Sequence, residues 1–204
     1  MEKLKNELIE KVAVFQDKNK QKQIVRINMI PNQFIYLKSY NEELKETGYA
    51  SIYFHPNNRI FLDTIYCYDE YRGSNIATKL SRLIDYLLQN YEGFIIRGVY
   101  EPSQLSTDRE KDIHCDKKEL DERATNFYYK NGYKKITYED YINNKELYSY
   151  INEQDDFQLG EEISGCIIAK KIQSTKVVGF KDIDGVIVDD SILDFECVNQ
   201  LIKK

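Results

Sequence analysis

No stretch of the 204-residue chain approaches the roughly 18 consecutive apolar residues that a membrane-spanning helix needs. The start, MEKLKNELIEKVAVF, also lacks the apolar core of a signal peptide. A cytoplasmic protein with no membrane partner is the expectation. Basic excess is missing too: 29 Lys and Arg stand against 34 Asp and Glu, for a net charge of -5. A surface that tracks phosphates needs the opposite balance, so nucleic acid is not an expected partner. Cysteine is sparse, with Cys67, Cys115, Cys166 and Cys197 far apart and no CxxC spacing, which fits free thiols in a reducing compartment. His55 and His114 are the only histidines, so the His114-Cys115 pair belongs to no spaced ligand cluster, and no metal is expected. Neither Gly-x-x-x-x-Gly-Lys-Ser/Thr nor Gly-x-Gly-x-x-Gly occurs, which removes the P-loop and Rossmann ways of holding a phosphate.

What is present, 42% hydrophobic and 31% charged residues, suffices for one substantial core. Leu4, Leu8, Ile9 and Val12 share one face of a helical wheel and predict an amphipathic helix from residue 2 to about 16, followed by a solvated connection, KNKQKQ. Four segments rich in β-branched and aromatic residues then predict strands over 24–30, 33–40, 48–54 and 59–67, the last two joined as a hairpin by HPNN. After Gly73 the period changes. Ile76, Leu80, Leu83, Ile84, Leu87 and Leu88 form the stripe of a helix packed on a sheet and running to about Asn90.

Beyond that helix, FIIRGVY (94–100) predicts a strand buried on both faces, and a long polar loop follows to Asp116. A capping box at Asp116 and Glu119 opens a second helix, which Asn131-Gly132 closes. A short strand at 134–137, a Tyr-rich and helical segment over 138–152, an acidic loop over 153–162 and a strand at 163–172 complete the main body. VVGFKDIDGVIV then predicts a hairpin, and Ser191 with Asp194 starts a last helix near 191–203.

The turn YRGSNIATKL, residues 71–80, joins a strand directly to a helix. Helix N-termini present backbone N-H groups without partners inside the helix, at the positive end of its dipole. Gly73 can adopt conformations closed to other residues, small Ser74 and Ala77 permit close approach to the backbone, and Arg72 adds charge at the rim. Taken alone, the turn reads as a plain connection with an exposed arginine more readily than as an anion seat.

Cys67-Tyr-Asp-Glu-Tyr-Arg-Gly-Ser-Asn-Ile-Ala-Thr-Lys-Leu80 resembles the acetyl-CoA signature of GNAT-family N-acetyltransferases, Arg/Gln-x-x-Gly-x-Gly/Ala, with Arg72 and Ala77 at its ends and Asn75 where the family usually has glycine. A second segment, Ala124-Thr-Asn-Phe-Tyr128-Tyr-Lys130-Asn-Gly132-Tyr133, is similar to the family's Ala-x-x-Leu-Tyr-x-Lys-x-Gly-Phe helix. The resemblance covers roughly residues 24–172. It implies an α/β (α+β) GNAT fold, a mixed and mostly antiparallel sheet flanked by helices, and splayed between its fourth strand (59–67) and fifth strand (94–100). It also implies three regions: 1–22 as an N-terminal helix and connection, 23–172 as the acetyltransferase domain, and 173–204 as a C-terminal extension of hairpin plus helix.

For function, the resemblance implies acetyl-CoA as acyl donor and an amine of a small molecule or protein as acceptor, reacting by direct attack on the thioester. Backbone groups near Tyr66 and Cys67 would hold the carbonyl and pantetheine, those of Arg72, Gly73, Ser74, Asn75, Ile76, Ala77 and Thr78 the phosphates, and Lys130 lies in the second matched segment. Tyr128 would be the general acid. Asp63 and Glu101 are the carboxylates placed to act as base through water. Asp121 stands where the family often has asparagine, and there is no room between Ile30 and Gln33 for the two helices that commonly wall the acceptor site. A non-catalytic acyl-CoA-binding sensor or interaction module on the same fold is the alternative, and homodimerisation is left open.

Overall fold

The computed structural model describes residues 7–56, 59–97, 126–149, 151, 166–172 and 179–192. Its ten described strands form a mixed α/β arrangement with few helices, and the chain divides into two compact units. The first comprises Met1–His55, Leu62–Glu92 and Gln173–Lys204. The second comprises Pro56–Phe61 and Gly93–Ile172.

In the first unit, β1 (Ile9–Gln16), β2 (Lys22–Ile30), β3 (Phe34–Tyr40), β4 (Glu46–His55) and β5 (Arg59–Cys67) follow one another in chain order. A three-residue 3-10 turn, Asp69–Tyr71, then leads to helix α1 (Ile76–Leu87). The strand β9 (Phe180–Ile183) and its partner β10 (Val186–Asp189) come from the far end of the chain. Their order is β5-β4-β3-β2-β1-β10-β9. The β1/β2, β2/β3, β3/β4 and β9/β10 pairs are antiparallel, whereas β1 and β10 run parallel with Ala13 opposite Ile187.

The expected N-terminal helix is not formed where the chain is described: residues 9–16 are strand β1. Its apolar residues satisfy a helical wheel, but Val12, Val14 and Phe15 favour the pleated surface, and the strand has neighbours on both edges. Ala13, Val14 and Phe15 are consequently buried in succession, which erases the alternation that marks a half-buried strand. The supposed connection is a hairpin turn. Asp17 accepts backbone hydrogen bonds from Asn19 and Gln21 at 2.8 and 2.9 Å, and Lys22 already belongs to β2.

The strands expected at 24–30, 33–40, 48–54 and 59–67 are present, with β4 beside β5. Between Ile30 and Phe34 there is only a tight turn, in which Gln33 N-H donates to the Ile30 carbonyl at 3.0 Å, so no helices interrupt β2 and β3. Val25, Ile27, Ile35, Leu37, Ala50 and Ile52 are buried together with the α1 stripe of Ile76, Leu80, Leu83 and Ile84. The hairpin expected near the C-terminus is β9–β10, turned by Asp184 (φ 49°) and Gly185 (φ 83°). The helix expected near 191–203 lies mostly outside the described residues.

In the second unit, β6 (Phe94–Arg97), a helical segment over 126–130 (α2), β7 (Lys134–Thr137), helix α3 (Tyr138–Asn143) and β8 (Cys166–Lys171) surround a core of Phe94, Ile96, Ile136, Tyr141, Ile151, Ile167 and Ala169. The order is β7-β8-β6, and the first residues of β5 pair with β6 in parallel, Ile60 opposite Ile95. Helix α2 ends as expected, with Gly132 at φ 86° and Tyr133 N-H donating to the Tyr128 carbonyl at 3.0 Å. The polar loop and the acidic loop lie outside the described residues.

Candidate functional site

The end of β5 and the start of α1 build the turn singled out in the sequence. Gly48 of β4 lets β5 approach closely, because a Cβ there would stand 2.6 Å from the Tyr66 carbonyl oxygen. Tyr68 N-H donates to the Thr47 carbonyl at 3.1 Å, which fixes the exit of the strand. The chain then passes through the 3-10 turn, and Arg72, at φ -60° and ψ 141°, leaves it in an extended conformation. Gly73 and Asn75 both take positive φ, 81° and 74°. Asparagine is among the residues that reach this region most readily, so it can stand where the resembled signature has glycine.

Asn75 occupies the N-cap position of α1, yet its side chain makes no capping hydrogen bond. Its carbonyl accepts from Lys79 N-H at 3.0 Å, which makes the N-H groups of residues 76–78 the ones that helix geometry leaves without intrahelical partners. Ser74 is buried and its hydroxyl turns back onto the Tyr71 carbonyl, while Lys18 N-H of the β1–β2 turn holds the Ser74 carbonyl at 2.8 Å. Arg72 forms an ion pair with Asp69 at 2.6 Å and remains partly exposed. Gly73 is exposed, and a Cβ on it would meet nothing within 4 Å. The turn is held from beneath and open above.

Cys67, half-buried, lies just before this turn. Burial pushes its thiol up to about 11, against the opposing effects of Arg72 and Ser74. At neutral pH it is a protonated thiol and a poor nucleophile. Asp63 is exposed on β5, accepting hydrogen bonds from the Ser51 hydroxyl at 2.7 Å and Thr64 at 3.2 Å.

The remaining expected residues belong to the second unit. Tyr128 is buried in α2, edge-on to Phe127 and Tyr133 with ring centroids 5.3 and 5.4 Å away. Lys130 is exposed at the end of the same helix. Glu101 and Asp121 lie outside the described residues. Among the described residues no group of three or more His, Cys, Asp or Glu is arranged to hold a metal ion.

Two features escaped the sequence. One is a polar network under the turn, in which Asp17 accepts from Gln23, and Gln23 accepts from Thr47 at 2.9 Å. The other is a cluster of tyrosines on β4, on β5 and just after β5: the ring centroids of Tyr49 and Tyr66 are 5.4 Å apart, those of Tyr66 and Tyr68 5.3 Å. A separate groove of about 390 Å³ opens beside Glu10, Arg26, Asn28 and Asp184 and contains none of the expected residues.

Solved structures similar to the chain include two acetyltransferases. One is a GNAT-family acetyltransferase from Staphylococcus aureus Mu50, 15% identical, with a TM-score of 0.45 and coverage of 70% of each chain. The other is a nourseothricin acetyltransferase, 10% identical, with a TM-score of 0.42 and coverage of 80% of this chain and 84% of that one. Neither a protein-family model nor a curated protein matches. Likeness of this degree assigns neither a family nor an activity.

Proposed function

We propose that the protein is an acetyl-CoA-dependent N-acetyltransferase that moves an acetyl group to an amine by direct attack on the thioester. The observation that carries the proposal is the turn from Arg72 to Thr78: two positive-φ residues and an uncapped helix N-terminus at the positions that resemble the family's pyrophosphate loop. In this role the N-H groups of Gly73 and residues 75–78 bind the phosphates, and Arg72 supplies charge at the rim. Backbone groups at Tyr66 and Cys67, next to the close approach at Gly48, orient the acyl-pantetheine arm.

The attacking amine adds to the thioester carbonyl, and its nitrogen gives up a proton through water to a carboxylate, for which Asp63 and Glu101 are the proposed bases. The C–S bond breaks, and the thiolate takes a proton. Tyr128 is the proposed donor of that proton, since a phenol with an ordinary pKa near 10 can protonate a thiolate. The protonated state of Cys67 supports direct transfer over an acyl-cysteine intermediate at that residue. Lys130 is proposed to contact the donor from the same helix as Tyr128.

The test is Tyr128→Phe, assayed by thiol release from acetyl-CoA with a panel of primary amines. Loss of a general acid should lower kcat about 100-fold or more, while the dissociation constant for acetyl-CoA stays unchanged. Unaltered turnover in this variant would reduce Tyr128 to core packing. A wild-type protein that binds the donor and turns over no amine would favour the sensor.

A further inference from the structure

The sheet face that carries Tyr36, Lys38 and Tyr40 of β3 is the face opposite the α1 stripe, and β4 sets Ser51 and Tyr49 directly across from Tyr36 and Lys38. Strand β5 adds both Asp63, bonded to Ser51, and Tyr66, whose ring meets Tyr49. These residues are three apart, so β5 departs from strict alternation between them and presents a carboxylate and a ring to the same neighbours. Tyr68 completes a triad with Tyr49 (6.3 Å) and Tyr66, its plane turned 86° from that of Tyr66. All these side chains belong to the first unit, and the three rings are half-buried.

Carboxylates and one lysine surround the rings. Tyr68 donates to Glu46 at 2.9 Å, and that hydrogen bond pushes its phenol up to about 12. Tyr49 is raised as well, by burial first and then by Tyr66, Tyr36, Glu46 and Asp63. Glu46 and Asp63 place negative charge beside these rings. Lys38 on the same face is held by Glu46 at 2.8 Å. Ring faces attract organic ammonium groups through their quadrupoles, and a nearby carboxylate adds charge attraction.

We infer that Tyr49, Tyr66 and Tyr68, together with Asp63, form a recognition site for a small organic ammonium ion, which is the chemical class of the acceptor. The acceptor assignment rests on the transferase proposal, but the cation site does not. The ring quadrupoles and the Asp63 carboxylate select a cation over a neutral molecule of equal shape.

The experiment is calorimetric titration of the full chain, without acyl donor, with choline as cationic probe and 3,3-dimethyl-1-butanol as its uncharged isostere. Choline should bind about tenfold more tightly than the isostere. Tyr66→Leu should erase most of that preference. Asp63→Asn, a nearly isosteric change at an exposed position, should weaken choline several-fold and leave the isostere unchanged, with an unchanged melting temperature as the check on folding. Equal affinity for the two probes, absence of measurable choline binding, or an unaltered preference in both variants would overturn the site. Choline binding in a protein that ignores acetyl-CoA would sink the transferase proposal alone. Acetyl-CoA binding without choline preference would sink the cation site alone.

Discussion

Replacing Gly73 with valine should weaken acetyl-CoA binding at least about tenfold, because holding a β-branched side chain at φ 81° costs on the order of 1–2 kcal/mol and a relaxed turn no longer aims its N-H groups at one point. The core should hardly notice. A Cβ at this position meets nothing within 4 Å, so the melting temperature should fall by only a few degrees. Asn75→Gly is the control: it restores the residue common in the resembled signature at φ 74° and should leave affinity within about twofold. Isothermal titration with acetyl-CoA reads both. A Gly73→Val protein that binds like wild type would mean that the turn is a connection and nothing more.

The second large effect falls on stability. Lys79 of α1 is paired with Asp189 of β10 at 2.7 Å, and both side chains are buried, at 10% and 3% exposure. Arg82 lies 3.9 Å from the same carboxylate and stacks over Phe180, whose ring also meets Tyr86. The C-terminal hairpin thus fastens the helix that begins at the proposed phosphate turn. Asp189→Ala leaves the Lys79 charge buried and should cost about 3–5 kcal/mol, which for a chain of this size is roughly 10 °C in melting temperature. Lys79→Met combined with Asp189→Leu should recover much of the loss, because no lone charge is then buried.

The same pair sets an acid limit. Burial works to raise the Asp189 carboxyl, but hydrogen bonds from Lys79 and Ser191 bring it below the ordinary range. A carboxylate depressed in the folded state stabilises fully above its unfolded value of about 3.9 and loses that contribution as pH falls through the folded value. Wild type and Asp189→Ala should therefore converge in stability only below about pH 4.

The strand-to-helix turn at 71–80 was legible as a turn because its signal is local: a strand, a glycine and a helical stripe occupy adjacent positions. The β9–β10 hairpin was legible for the same reason, in Asp184-Gly185. Strand β1 was not. Its burial depends on β10, more than 170 residues away, and two-sided pairing removes the periodicity that local reading relies on. The neighbourhood of Asp63 and Tyr66 was hidden by the break in alternation between them, which placed on one face residues that a regular strand puts on two. Tyr128 fell on the helix expected for it, and its burial between Phe127 and Tyr133 accords with the apolar stripe read from the sequence.

The melting temperature of the full chain with and without acetyl-CoA tests the central claim most directly, with free CoA and a thiol lacking the nucleotide as controls. A ligand at 100 times its dissociation constant that binds only the folded state stabilises by about 2.7 kcal/mol, so a rise of several degrees is expected with acetyl-CoA and with CoA, and none with the bare thiol. No shift at millimolar acetyl-CoA would contradict the proposal.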